Sequence, residues 1–311
     1  MSEPVIRLDK LTKEFGGLRA LDELSLDLMP GDVFGFIGPN GAGKSTTMKI
    51  VSGLLKPTSG EAFVLGKAVQ HHGDFVRRNV GYMPDTFGVY DDLTVTEYLD
   101  FFAAAYGLNR ITRRRKVGEV LDLTELRYKE NAMVDSLSRG MQQRLGLARV
   151  LVHDPPILLL DEPASGLDPR ARIEIRELIL NLQRLGKTIV VSSHILSELG
   201  EFCNKLGIVE RGRLVVFGTI DDLSQKASQK VVVVIRSPDA ERAEQLLKSD
   251  ARIALVERNG NELRVELNDP TLHQQFVIES LVNAGVRIDA IAPHQLTLEE
   301  VFLRLTQGLV A

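Results

Sequence analysis

The sequence predicts an α/β protein in which helices cover a mostly parallel sheet, followed by a small α+β domain. Three observations predict it. Short apolar runs such as 157-ILLLD-161 and 188-TIVVSS-193 are each followed by helical periodicity, the alternation that builds a parallel sheet between helices. A glycine-rich turn, 38-GPNGAGKST-46, joins the run 33-VFGFI-37 to the helix-patterned stretch 44-KSTTMKIVSGLL-55. The last part of the chain reads strand, helix, two strands, helix, strand.

The elements follow in order. From Val5 to about Leu65, β-type segments in 5-VIRLDKL-11, 24-LSLDLMPGDVFGFIG-38 and 61-EAFVLG-66 alternate with Gly and Asp turns. Residues 93–152 read mainly as helix, most clearly in 96-TEYLDFFAAAYG-107 and 139-RGMQQRLGLARVLV-152. The polar stretch 224-SQKASQK-230 reads as a linker and divides the chain into domains 5–228 and 229–311. Beyond it come a strand (231–237), a helix (239–249), two strands across 259-NGN-261, a helix (271–285) and a strand (286–293). This βαββαβ order predicts a ferredoxin-like sandwich, which a final helix, 297-TLEEVFLRLTQ-307, closes.

A chain of 311 residues is long enough for about two domains with a sizeable core. A net charge of -4 supplies no basic excess for a polyanion, so no nucleic acid partner is expected. The single cysteine, Cys203, forms no intrachain disulfide and suits a reducing compartment. The start, MSEPVIRLDK, lacks an apolar signal core, and runs such as 231-VVVVI-235 fall far short of the roughly 20 residues that span a membrane. Any membrane role is therefore expected to come through a partner.

The chemistry concentrates in two places. Residues Gly38, Pro39, Asn40, Gly41, Ala42, Gly43, Lys44, Ser45 and Thr46 match G-x-x-x-x-G-K-[ST] between a strand and a helix. Glycines let backbone N–H groups converge on phosphate oxygens, and the helix N-terminus adds positive potential. Lys44 would add a point charge on the β and γ phosphates, and Ser45 a hydroxyl for Mg²⁺. At the end of 157-ILLLD-161, Asp161 and Glu162 stand side by side where unpaired carboxylates are costly, although Asp-Glu-Pro is also ordinary turn chemistry. Given the phosphate turn, Asp161 suits Mg²⁺ and its water shell, while Glu162 suits the proton of an attacking water.

Between these motifs lies 137-LSRGMQQRLGLARVL-151, and here the chain resembles the ABC-type ATPases, whose signature motif LSRGMQQR matches. The family's other marks appear in order: Phe15 at the adenine-stacking position, Asp161 and Glu162, then 165-SGLD-168, then His194 ending 188-TIVVSSH-194. The resemblance, from about Val5 to Asp222, implies a P-loop (RecA-like) core with an antiparallel β-subdomain and a helical subdomain. It implies an ATP-binding and ATP-hydrolysing subunit of a membrane transporter, an exporter by its subgroup, with a separate membrane-spanning permease. Two copies would pair head to tail, each trapping ATP and Mg²⁺ between its own phosphate turn and the partner's Ser138 and Gly140. His194 would hydrogen-bond the γ-phosphate or the water, and Asp168 would communicate across the homodimer. Such a subunit lies peripherally on the cytoplasmic face of the membrane.

One departure matters. The family usually has Gln where this sequence has Asp85, in 81-GYMPD-85, and Asp offers the ion a charged oxygen on a shorter stem. An acidic residue there resembles the bacterial subgroup that serves drug, sodium and polysaccharide exporters. The rival readings are a soluble ABC mechanoenzyme, disfavoured by a single cassette without a long insertion, and a nucleotide-gated regulator, disfavoured by intact Glu162 and His194. The basic run 110-RITRRRK-116 reads as a solvated helix face, with acidic membrane lipid as the alternative, and His71 and His72 as a surface loop.

Overall fold

In the computed structural model, which describes residues 3–86, 88, 92–227, 232–269 and 275–293, the apolar runs become strands buried along their whole length. Strands β1 (Ile6–Phe15) and β2 (Leu18–Leu28) form a hairpin; β3 (Val33–Ile37) leads through the glycine-rich turn into α1 (Lys44–Val51). Strands β4 (Ser59–Val64) and β5 (Lys67–Ala68) return beside β1, and α2 (Gly73–Asn79) leads to β6 (Val80–Met83). Three helices follow, α3 (Val95–Ala105), α4 (Arg110–Leu123) and α5 (Arg139–Leu151). Then come β7 (Ile157–Asp161), α6 (Pro169–Arg184), β8 (Thr188–Ser193), α7 (Leu196–Gly200), β9 (Lys205–Glu210) and β10 (Arg213–Thr219).

Two sheets result. The outer one is antiparallel, in the order β2-β1-β4-β5; the central one runs β10-β9-β3-β8-β7-β6 and is parallel except where β10 meets β9. Continuous apolar runs suit central strands because helices cover parallel sheets on both faces. Between the sheets, Leu8, Leu24 and Leu28 pack with Phe34, Phe36 and the α1 side chains Met48 and Ile50. Burying each such side chain contributes roughly 1.5–3 kcal/mol. Register then sets the chemistry. Ile37 lies opposite Ser193, and Asp161 opposite Ser192, so the turns leaving β3, β7 and β8 emerge side by side at the carboxyl ends of the strands.

The helices start on side chains chosen for the task. Thr94 and Glu97 form a capping box on α3, Ser138 caps α5, and Asp168 caps α6 with Pro169 at its first position. The basic run of α4 is largely paired within the chain: Arg113 meets Asp100 at 2.9 Å, and Lys116 meets Asp154 at 3.1 Å.

The chain divides into two compact units, Met1–Ile220 and Asp221–Ala311. Residues 224–227, expected in a linker, instead continue α8 (Ile220–Ala227), because Gln, Lys and Ala are good helix formers. Residues 228–230 lie outside the described residues, as does the helix expected over 297–307. Strand β11 (Val232–Arg236), α9 (Ala240–Lys248), β12 (Ile253–Asn259), β13 (Glu262–Leu267), α10 (Gln275–Asn283) and β14 (Ala290–Pro293) follow. Their sheet is antiparallel in the order β12-β13-β11-β14, the ferredoxin-like arrangement. The last strand starts later than expected: Val286 is buried in the core of this unit, and Arg287 is held by Asp239 at 2.9 Å.

Candidate functional site

The glycine-rich turn ends at Gly43, whose φ of 111° belongs to the region glycine favours. A Cβ there would also lie 2.6 Å from Leu21 and 2.8 Å from the Ala20 carbonyl. Residues Pro39, Asn40, Gly41, Ala42, Gly43, Lys44, Ser45 and Thr46, with Asp85 and Glu162, line a cavity of about 160 Å³. Gly38 forms the foot of the turn. The buried Lys44 ammonium donates to the Gly38 carbonyl at 2.5 Å and the Pro39 carbonyl at 3.2 Å, which offsets its desolvation.

The two carboxylates have different surroundings. Asp161 is buried and accepts from the Ser192 hydroxyl at 2.6 Å and, more weakly, from the Tyr82 phenol at 3.5 Å. Burial, reinforced by the Asp161 charge, pushes the Tyr82 phenol far above its ordinary range, so it stays a proton donor. Glu162 holds a left-handed backbone, φ 49°, uncommon for a residue with a Cβ and costing about 1 kcal/mol or more. Its N–H donates to Ser192 Oγ at 2.9 Å, and its Oε2 lies 2.9 Å from His194 Nδ1. The other oxygen, Oε1, is buried without a hydrogen-bond partner; the Lys44 ammonium, 3.7 Å away, offers it charge but no donated proton. Such an oxygen beside a phosphate cradle can take a proton from water. Glu162 and His194 also border a larger cavity, about 490 Å³, between α6 and α7, lined by both apolar and charged side chains.

The oxygen donors fit Mg²⁺, which prefers one or two carboxylates, phosphates and waters to an all-protein cage. Ser45 and Asp85 reach the cavity, whereas Asp161 does not line it and accepts from Ser192 and Tyr82. Among the described residues no cluster of three or more His, Cys, Asp or Glu forms a cage.

Gly38, Asp161 and His194 stand next to this cavity without lining it, and four other residues singled out from the sequence lie outside it. Ser138 is exposed and accepts from Met141 N at 3.4 Å; Asp168 is exposed and accepts from Ala171 N at 3.0 Å. Gly140 lies against Ala171, and Phe15 is 46% exposed with the Lys13 ammonium 4.9 Å from its ring centre. Three residues not singled out belong here: Tyr82, Ser192 and Arg139, which packs on Gly166. Tyr82 and Ser192 sit inside the motif stretches, and Arg139 is a cation wedged between Ser138 and Gly140.

The "ABC transporter" family model matches residues 21–165, and a second, "ATP-binding protein DrrA1-3-like, C-terminal domain", matches 218–306. A Nod factor export ATP-binding protein I of Paraburkholderia xenovorans (strain LB400) is 35% identical over 309 residues, 98% of each chain. The chain belongs to the ATP-binding subunits of ABC transporters, a family of ATPases. "Probable multidrug ABC transporter ATP-binding protein YbhF" of Escherichia coli (strain K12) is 41% identical over 226 residues, 73% of this chain but 39% of that protein. This ABC chain therefore spans about two fifths of YbhF's length. Its first unit also resembles the dimeric structure of MJ0796, a bacterial ABC transporter cassette, at TM-score 0.63 and 29% identity, covering 69% of this chain and 98% of that one. Among the described residues no helix is long and apolar enough to cross a membrane.

Proposed function

We propose that this chain is the ATP-hydrolysing subunit of an exporter, working as a head-to-tail homodimer against a separate membrane-spanning permease on the cytoplasmic face of the membrane. One observation carries the reading: the phosphate cavity holds an unpartnered carboxylate oxygen, while Ser138, Gly140 and Asp168 stand outside it on the same chain. A second copy brings those residues to the cavity. The exporter reading is supported by the names of the relatives, one of Nod factor export and one of multidrug transport.

In this reading the turn N–H groups and Lys44 grip the β and γ phosphates of ATP. Phe15 stacks on the adenine. Glu162 Oε1 accepts a proton from water attacking in line, and His194 fixes the carboxylate through Oε2 and reaches the γ-phosphate edge. Ser138 and Gly140 of the second copy donate to the γ-phosphate as charge builds there, and Asp168 carries contact across the dimer. Ser45, with Asp85 and Asp161 through water, would hold Mg²⁺, which neutralises phosphate charge when bound. ATP closes the dimer and hydrolysis reopens it. Glu162→Gln keeps the shape but accepts no proton, so hydrolysis should fall about a thousandfold or more while an ATP-bound dimer accumulates on gel filtration. Wild-type-like turnover by that variant removes Glu162 from this role. The permease is tested by what co-purifies from detergent-solubilised membranes; recovery of the chain with no membrane-spanning protein counts against it.

A further inference from the structure

We propose that Arg139 is a positioning residue that ties the Ser138–Gly140 turn to the loop carrying Glu162, and this rests on the two-copy reading above. Arg139 is the first residue of α5 and exposed, the place on a helix least favourable to a cation. Its neighbours in the fold are paired, Arg144 with Glu125 and Glu174, and Arg172 with Glu198. Among the described residues Arg139 has no ion pair or hydrogen bond; it has a seat instead. The guanidinium lies on Gly166 so closely that a Cβ there would stand 2.4 Å from Cζ and 2.5 and 2.6 Å from the two Nη nitrogens.

Gly166 is the centre of the loop that begins with Glu162 and ends with Asp168. Its φ of 67° and the bonds Ser165 N to Glu162 O, 3.0 Å, and Leu167 N to Ala164 O, 3.3 Å, make that loop a pair of tight turns. The flat face of a guanidinium can rest on such a backbone, whereas a lysine ammonium cannot. A side chain at 166 would push the guanidinium out of this seat. The seam continues one residue on, where Gly140 meets Ala171 at 3.4 Å from an added Cβ. A shift of the Ser138–Gly140 turn is passed through this seam to the loop of Glu162.

In a head-to-tail pair the turn of one chain serves one nucleotide and Glu162 of that chain serves the other. Arg139 thus links the two sites within a single chain. The full chain should hydrolyse Mg·ATP with a Hill coefficient well above 1, towards the limit of 2 set by two sites. Arg139→Ala should bring the coefficient to 1 and lower kcat about tenfold, with binding of the fluorescent probe TNP-ATP and the melting temperature unchanged. Arg139→Lys should behave like Arg139→Ala, and millimolar guanidinium, but not ammonium, should restore the alanine variant.

Wild-type kinetics in Arg139→Ala, or full activity in Arg139→Lys, would overturn the proposal. Recovery of the alanine variant on raising protein concentration would also overturn it, placing Arg139 at the dimer contact instead. A wild-type Hill coefficient of 1, with Glu162→Gln still trapping a dimer, overturns the coupling and leaves the two-copy reading intact. Failure of Glu162→Gln to trap any dimer overturns that reading and the proposal with it.

Discussion

The phosphate cavity and the rim formed by the starts of α5 and α6 are built by opposite rules. At the cavity, Lys44 and Asp161 are buried and partnered: Lys44 meets two carbonyls and Glu162, and Asp161 meets Ser192 and Tyr82. On the rim, Ser138 and Asp168 are exposed, and each side chain caps its own helix. The difference teaches that one residue can be complete as structure and unfinished as chemistry. The cap uses the Ser138 oxygen as an acceptor and leaves its O–H proton to donate elsewhere.

The largest effect expected on the rim separates those two uses. Ser138→Asp keeps a cap acceptor but puts a carboxylate where, in the two-copy reading, a γ-phosphate approaches. Hydrolysis should fall by about 100-fold or more, with a melting temperature close to that of the wild type. Unchanged turnover would show that the rim has only its structural use. On the cavity side, Lys44→Ala should weaken ATP binding by about 10- to 100-fold, read by equilibrium titration, because a hydrogen bond to a charged group contributes about 1.5–3 kcal/mol. Normal binding would mean that the turn grips phosphate without its cation.

Asp85→Gln, at the cavity edge, should stay within about tenfold of wild-type hydrolysis, or about 1.4 kcal/mol of barrier. A thousandfold loss would show that the carboxylate itself is required. The smallest effect on activity lies away from both regions, at His153, which stacks on Tyr106 with ring centres 3.7 Å apart. Burial lowers its pKa from 6.5 to about 4, so the unfolded chain binds the extra proton between those values and stability falls as pH drops through that window. His153→Phe should remove about 1–3 kcal/mol of that acid sensitivity, measured by urea unfolding at pH 7 and pH 5. An unchanged pH slope would assign the sensitivity to other groups.

What the sequence made legible was local. The phosphate turn and the Asp161–Glu162 pair announce themselves within a few residues, because strand-to-turn spacing puts them at strand ends, while His194 is legible only through the resemblance to the family. Tyr82 and Ser192 were hidden because their tie to Asp161 depends on which strands pair and in what register. Arg139 was hidden for a similar reason, since its seat, Gly166, lies in a different loop. The stretch 224–227 is polar like a linker, yet its helix propensity prevails and it continues α8.

The engagement of both Asp161 oxygens also bears on the order in which reactants arrive. A carboxylate turned towards a serine and, weakly, a tyrosine does not line the cavity, and Ser45 and Asp85 alone make a poor chelator. In the proposed reading, metal and nucleotide would arrive as one preassembled substrate. The velocity should follow the concentration of that complex and be indifferent to free magnesium, while uncomplexed nucleotide competes for the same cradle.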